Sequence, residues 1–220
     1  SCSHFSGVTC SKTAGGREAR SSLRRVEAIG PAGSGPAGSG PQETPVRPKF
    51  FNARGETKNL RRASLEAMKQ VQLEQLETFR RKAEAGEWAE IHRDHFDWYM
   101  FPIEDGSQSE YNVREEDVAE LIADPEWRSR YHESVVLVAA AWGWDVERAA
   151  PIPSPKPGQE WTDWDVRLAK IIRSLWLFGQ GQDMASMQAF ARWVKPNGGL
   201  SYGFINLDEV YFLRLDDDAF

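Results

Sequence analysis

The chain has 220 residues, 40% of them hydrophobic and 27% charged, and a net charge of −6. These totals suit one domain plus a tail, and no apolar run reaches the roughly 18–20 residues that span a bilayer, which excludes a transmembrane helix. The only cysteines are Cys2 and Cys10, which leaves the rest of the chain without a disulfide or a thiolate metal site and suits a reducing compartment.

Residues 1–62 hold 11 Lys/Arg against 4 Asp/Glu, and the remaining residues hold 16 against 29. A basic arm on an acidic body points to contacts between the arm and acidic protein surfaces. Residues 1–30 are rich in Ser and Arg and poor in acids, the composition of an organellar transit peptide. That places the protein in an organelle, plastid ahead of mitochondrion, with a cytoplasmic location as the alternative. GPAGSGPAGSGPQ, residues 30–42 of the long extended N-terminal arm, lacks the apolar surface needed to offset its ordering entropy, and is expected to be a flexible linker.

The body, residues 63–220, is expected to be mainly all-α: about five helices in one domain, with a small C-terminal β-hairpin. Ser64 suits the N-cap of a first helix and Gly86 its end. Leu65, Met68, Leu76, Phe79 and Ala83 form a narrow stripe at helical spacing, which fits docking or a coiled coil as well as a core. A second helix is expected over EWAEIHRDHFDWYMFP, where Trp88, Ile91, His95, Trp98 and Tyr99 follow 3- and 4-residue steps. Asn112 and Glu115 resemble a capping pair for a third helix bearing Val118, Leu121 and Ile122.

Asp124-Pro125-Glu126 is a further start: a capping carboxylate, proline in the first turn and an acid near the positive end of the dipole. That helix runs to Trp142 and Gly143, is apolar all round in its last turns, and is expected to be central. Pro151 to Trp161 contains four prolines in seven residues and is expected to be an extended connection. Thr162 or Asp163 is expected to cap the next helix, which turns Trp164, Leu168, Ile171, Ile172, Leu175 and Phe178 inward and ends at Gly179. Asp183 is expected to cap the last helix. LSYGFINL and VYFLRL, separated by Asp208-Glu209, are expected to pair as a hairpin, and the terminal DDDAF to be solvated.

All nine tryptophans follow Glu87, enough aromatic mass for a heavy core with surface left over for a partner. HRDHFDWY places two histidines and two aspartates within six residues, with Tyr99 close by; its candidate members are His92, His95, Asp97 and Tyr99. Helical zinc motifs place two histidines four apart with an acid between them, and di-iron bundles place a Glu three residues before each His. Here the histidines are three apart and residue 89 is Ala, so the expected reading is structural: His95 against aromatic rings, Asp94 and Asp97 capping or facing water. No metal or cofactor is expected. Arg167 and Arg173 are expected to be buried anchors paired with acids on the central helices. Ser134 and Ser174 are expected to bond back to their own helices. Gly179 to Gln182 lacks the preceding strand and the lysine of a phosphate loop. Only the arm and Lys58, Arg61 and Arg62 carry clustered positive charge, so nucleic acid is not the expected partner.

HFDWYMFP, residues 95–102, and VRLAKIIRSLWLFG, residues 166–179, resemble elements of the conserved helical region of opioid growth factor receptor-like proteins, and DPEWRSRYHESV between them has a similar rhythm. The resemblance covers residues 88–192, implies an all-helical domain and assigns no catalytic residue. The function expected from these observations is a non-enzymatic scaffold or linker subunit that binds other protein subunits of a larger complex, a photosynthetic assembly being one setting. Association of such a chain with a membrane surface is expected to run through its complex. The candidate contact residues are Leu65, Met68, Leu76, Phe79, Trp88 and Trp161. The alternatives are a small metal-assisted enzyme built on His92, His95 and Asp97, and an RNA-contacting protein using its basic arm.

Overall fold

The structure is a computed structural model, and it describes residues 63–217. The expectations for the arm, for Lys58, Arg61 and Arg62, and for the last residues of the acidic tail lie outside that range. The described part is mostly helical, as composition and periodicity predict, with six α-helices and two small antiparallel strand pairs. None of the described helices is long and apolar enough to cross a membrane.

Helix α1, Leu65–Glu84, starts where Ser64 Oγ accepts the Ala67 N–H at 3.1 Å and gives way at Gly86, whose φ of +74° glycine adopts without strain. Its stripe belongs to the core. Met68, Leu76 and Phe79 are buried and Leu65 packs against them, because α4 lies along this face. The docking expectation is therefore corrected for Met68, Leu76 and Phe79, which the core takes up, while Leu65 is half-buried. Trp88 is buried too, and Trp161 is half-buried, edge-on to Trp142 at 5.2 Å and to Phe190 at 5.4 Å.

The expected second helix is broken. Trp88–His92 is a short 3₁₀ turn, residues 93–96 are irregular, and α2 covers only Asp97–Met100. Helix α3, Glu115–Ala123, begins with the Asp117 carboxylate accepting the Arg114 N–H at 2.9 Å. Asn112 is not its cap; its amide donates to the Gly106 carbonyl.

Helix α4, Pro125–Ala141, begins as expected: Asp124 Oδ1 accepts the N–H groups of Glu126 and Trp127, each at 3.0 Å. Replacing Asp124 with Ala should lower the urea midpoint, since the cap then leaves two N–H groups unpaired; an unchanged midpoint would show that the cap carries no weight. At its other end, Gln159 and Glu160 donate to the Ala140 and Ala141 carbonyls, satisfying acceptors that a helix end leaves open. The proline-rich connection is thus tied down. Gly158, at φ +83°, passes the Ala89 backbone so closely that a Cβ would lie 3.0 Å from its nitrogen. A two-residue pair, β1 (Trp144–Asp145) with β2 (Ala150–Pro151), precedes it.

Helices α5, Asp165–Leu177, and α6, Gly181–Val194, pack on each other. Neither has the expected side-chain cap. Asp163 has a φ of +56° and α5 starts after Trp164. Asp183 lies inside α6, facing His132. The C-terminal hairpin exists, but its turn is Gly203-Phe204, between β3 (Ser201–Tyr202) and β4 (Ile205–Asn206). Asp208–Tyr211 is a 3₁₀ turn, and Asp208 accepts the Gly199 and Leu200 N–H groups.

Candidate functional site

The polar cluster of residues 92–99 is organised from a distance by Arg167, only 2% exposed. Its guanidinium lies between the rings of Phe96, at 4.3 Å, and Trp164, at 4.5 Å. It donates to the carbonyls of His92 at 3.1 Å and Asp94 at 3.0 Å, approaches His92 Nδ1 at 3.2 Å, and lies 3.5 Å from Asp97 Oδ1. Burial disfavours the charged form of Arg167, and Asp97 opposes that shift. This explains the broken helix. A continuous helix would give the His92 and Asp94 carbonyls to N–H groups four residues on; Arg167 takes both instead.

His92 stacks on Trp142 at 4.8 Å and 4°. A guanidinium only donates, so Nδ1 accepts and the proton sits on Nε2. Burial first, then the Arg167 charge, pushes this imidazole down to about 3, against a small opposing pull from the Val138 carbonyl. It stays neutral at any ordinary pH.

Asp97 is buried, not a solvated cap. It faces a second buried cation, Lys170, at 3.5 Å, and this amine is shifted downward by burial while Asp97 pulls it back. The ring expected to be packed, His95, is exposed and stacks on Trp98 at 5.4 Å; His92 is the buried one. Tyr99 donates to Gln75, and burial moves its phenol up to about 12.

Two clefts meet at His95 and Trp164. One, of about 220 Å³, takes in Asp97, Trp98, Arg167, Lys170 and Tyr202. The other, of about 370 Å³, takes in His92, Arg93, Gly158 and Glu160. The proposed catalytic group is thus divided: His95 borders both clefts, His92 one and Asp97 the other. Among the described residues, no three His, Cys, Asp or Glu side chains are grouped so as to hold a metal ion.

Arg173 is buried as expected, but its acids are not on the central helices. Glu104 comes from the loop after α2 and Glu209 from the 3₁₀ turn near the C-terminus. Ser134 bonds back to the Arg130 carbonyl, while Ser174 accepts from Tyr131. An unforeseen pair is His132 Nδ1 with Asp183 Oδ2, 2.6 Å apart, beside an open cleft of about 530 Å³ that Glu147 and Gly179–Asp183 complete. It joins residues 51 apart, beyond any motif spacing.

Aromatic surface is also distributed unevenly. Five tryptophans, at 88, 127, 142, 144 and 176, are buried, and Trp98, Trp161 and Trp164 are partly buried. Trp193 is exposed, with Tyr202, Phe204, Ile205, Phe212 and Leu215. Comparison with protein-family models, curated proteins and solved structures yields no match.

Proposed function

We propose that this protein is a non-enzymatic helical subunit that binds another protein of a larger assembly through its C-terminal segment. The observation that carries the reading is the placement of exposed apolar side chains. Among the described residues, the large hydrophobic side chains left exposed lie between 193 and 215. Phe204 stands fully exposed on a two-residue turn, and Phe212 is 75% exposed. Scattered apolar residues need no explanation, but this many in one short segment is what an interaction surface contributes. The contact residues proposed here replace Met68, Leu76 and Phe79 of the α1 stripe, which are buried in the core.

The resemblance to opioid growth factor receptor-like proteins, which assigns no catalytic residue, supports the same reading. The setting proposed with it is an organelle, the plastid ahead of the mitochondrion, on the Ser/Arg composition of residues 1–30. Native purification of the full chain is the test. A defined protein should co-purify in fixed ratio, and the double substitution Phe204→Ser/Phe212→Ser should release it without lowering the thermal midpoint. Retention of the partner by that variant, or a chain that purifies alone, would overturn the proposal.

A further inference from the structure

We propose that the cleft between α2, the start of α5 and the β3–β4 hairpin binds a small, uncharged aromatic molecule. The cleft, at about 220 Å³, is below the roughly 300–1,000 Å³ of drug-sized sites, so its occupant has one or two rings. Its walls are aromatic: His95, Trp98, Trp164 and Tyr202 all line it. Trp98 and Trp164 stay partly exposed, while five other tryptophans are buried. Each of the two is held by a neighbour. His95 stacks on Trp98 at 5.4 Å and 8°, and the Arg167 guanidinium lies 4.5 Å from the centre of the Trp164 ring. Arg167 also ties the His92 and Asp94 carbonyls to α5. The walls are therefore fixed before a ligand arrives, and a fixed site loses less entropy on binding. Offset or edge-on contact with such rings favours an aromatic ring over a saturated one of the same size.

The base of the cleft decides what charge the ligand carries. Arg167 and Lys170 both line it and are 2% and 3% exposed. Asp97 lies 3.5 Å from each of them, and Asp105 acts on Lys170 as well. Two cations are therefore answered by two carboxylates, and the base offers no net charge of either sign. A charged ligand would give up its hydration without gaining a counter-ion, a cost that an uncharged ligand avoids. Ser107, exposed beside the cleft, can bond one neutral polar substituent.

The proposal is independent of the partner surface, because the residue that tests it, Trp98, lies outside the exposed C-terminal segment. The full chain is titrated by calorimetry with 1-naphthylmethanol, its fully saturated decahydro counterpart, 1-naphthoate and 1-naphthylmethylammonium. The aromatic alcohol should bind one to one. Both ions should bind at least ~10-fold more weakly, since each must shed its hydration uncompensated. The saturated alcohol should bind several-fold more weakly, the scale of an aromatic contact. Trp98→Ala should cost the aromatic alcohol about 10-fold, whereas Trp193→Ala, at an exposed tryptophan that does not line the cleft, should leave its affinity unchanged. Should Trp98→Ala fail to fold, the ranking of the probes on the unaltered chain decides alone. No saturable binding of the aromatic alcohol, a charged or saturated probe that binds as tightly, or an equal loss in both tryptophan variants would overturn the proposal.

Discussion

Replacing Arg167 with Leu is expected to cost about 3–5 kcal/mol of stability, the range for breaking one partner out of a buried charged network. The substitution strands Asp97 beside Lys170 and leaves the His92 and Asp94 carbonyls without their donor. It also empties the space between Phe96 and Trp164. Arg167→Lys should recover little, since an ammonium has no planar fork to reach both carbonyls while filling the space between two rings. Urea unfolding supplies the measurement. Combining Arg167→Leu with Asp97→Asn should cost less than the two single losses added, because the pair is coupled. A loss below about 1 kcal/mol for Arg167→Leu, or strict additivity, would show that the guanidinium is incidental to the loop.

Stability should fall steeply as pH drops from about 6.5, through His92. In the folded chain this imidazole takes a proton only near pH 3, while in the unfolded chain it takes one near 6.5. Between those values the unfolded state holds the extra proton, so stability decreases with falling pH by about 1.4 kcal/mol per unit, summing to about 5 kcal/mol over the window. Below about pH 3 both states are protonated and this contribution stops changing. Carboxylates that lie low in the folded state, Asp124 by its backbone N–H bonds and Glu133 by Arg80, act mainly below about pH 4.5. The range 4.5–6.5 therefore isolates the histidines. His92→Phe keeps a ring for Trp142 and should remove one proton's worth of slope there; an identical slope in both chains would refute the assignment.

Local chemistry made part of this structure legible beforehand. Asp124-Pro125-Glu126 carries its own cap, its own fixed φ and its own favourable charge, and α4 starts there. Ser64 and Gly86 bound α1 for similar reasons. The errors share one physical cause. Asp163, Asp183 and Asn112 are all cap-forming residue types, but distant groups decided their geometry: Lys195 pairs with Asp163, His132 with Asp183, and the Gly106 carbonyl with Asn112. The 3- and 4-residue spacing from Trp88 to Tyr99 was compatible with a helix, and nothing within those residues announces that Arg167 takes their carbonyls. The β3–β4 turn was misplaced because Asp208-Glu209 has turn chemistry as good as Gly203-Phe204. Asp208 uses that capacity to hold the Gly199 and Leu200 N–H groups instead. The cleft could not be foreseen, since its two cations come from α5 and its aromatic walls from Trp98, Trp164 and Tyr202.

The reach of Arg167 to His92, 75 positions along the chain, also bears on the order of events during folding. Segments joined by neighbouring contacts settle quickly, whereas a link that closes so long a loop must first overcome the entropy of bringing its ends together. On a ribosome, the stretch from Trp88 to Met100 emerges well before α5 exists, so Phe96 can pack on Phe79 of α1 while its other partner, the guanidinium, comes later. The closing of that long loop is therefore expected to be a late step for the same few residues that frame the cleft.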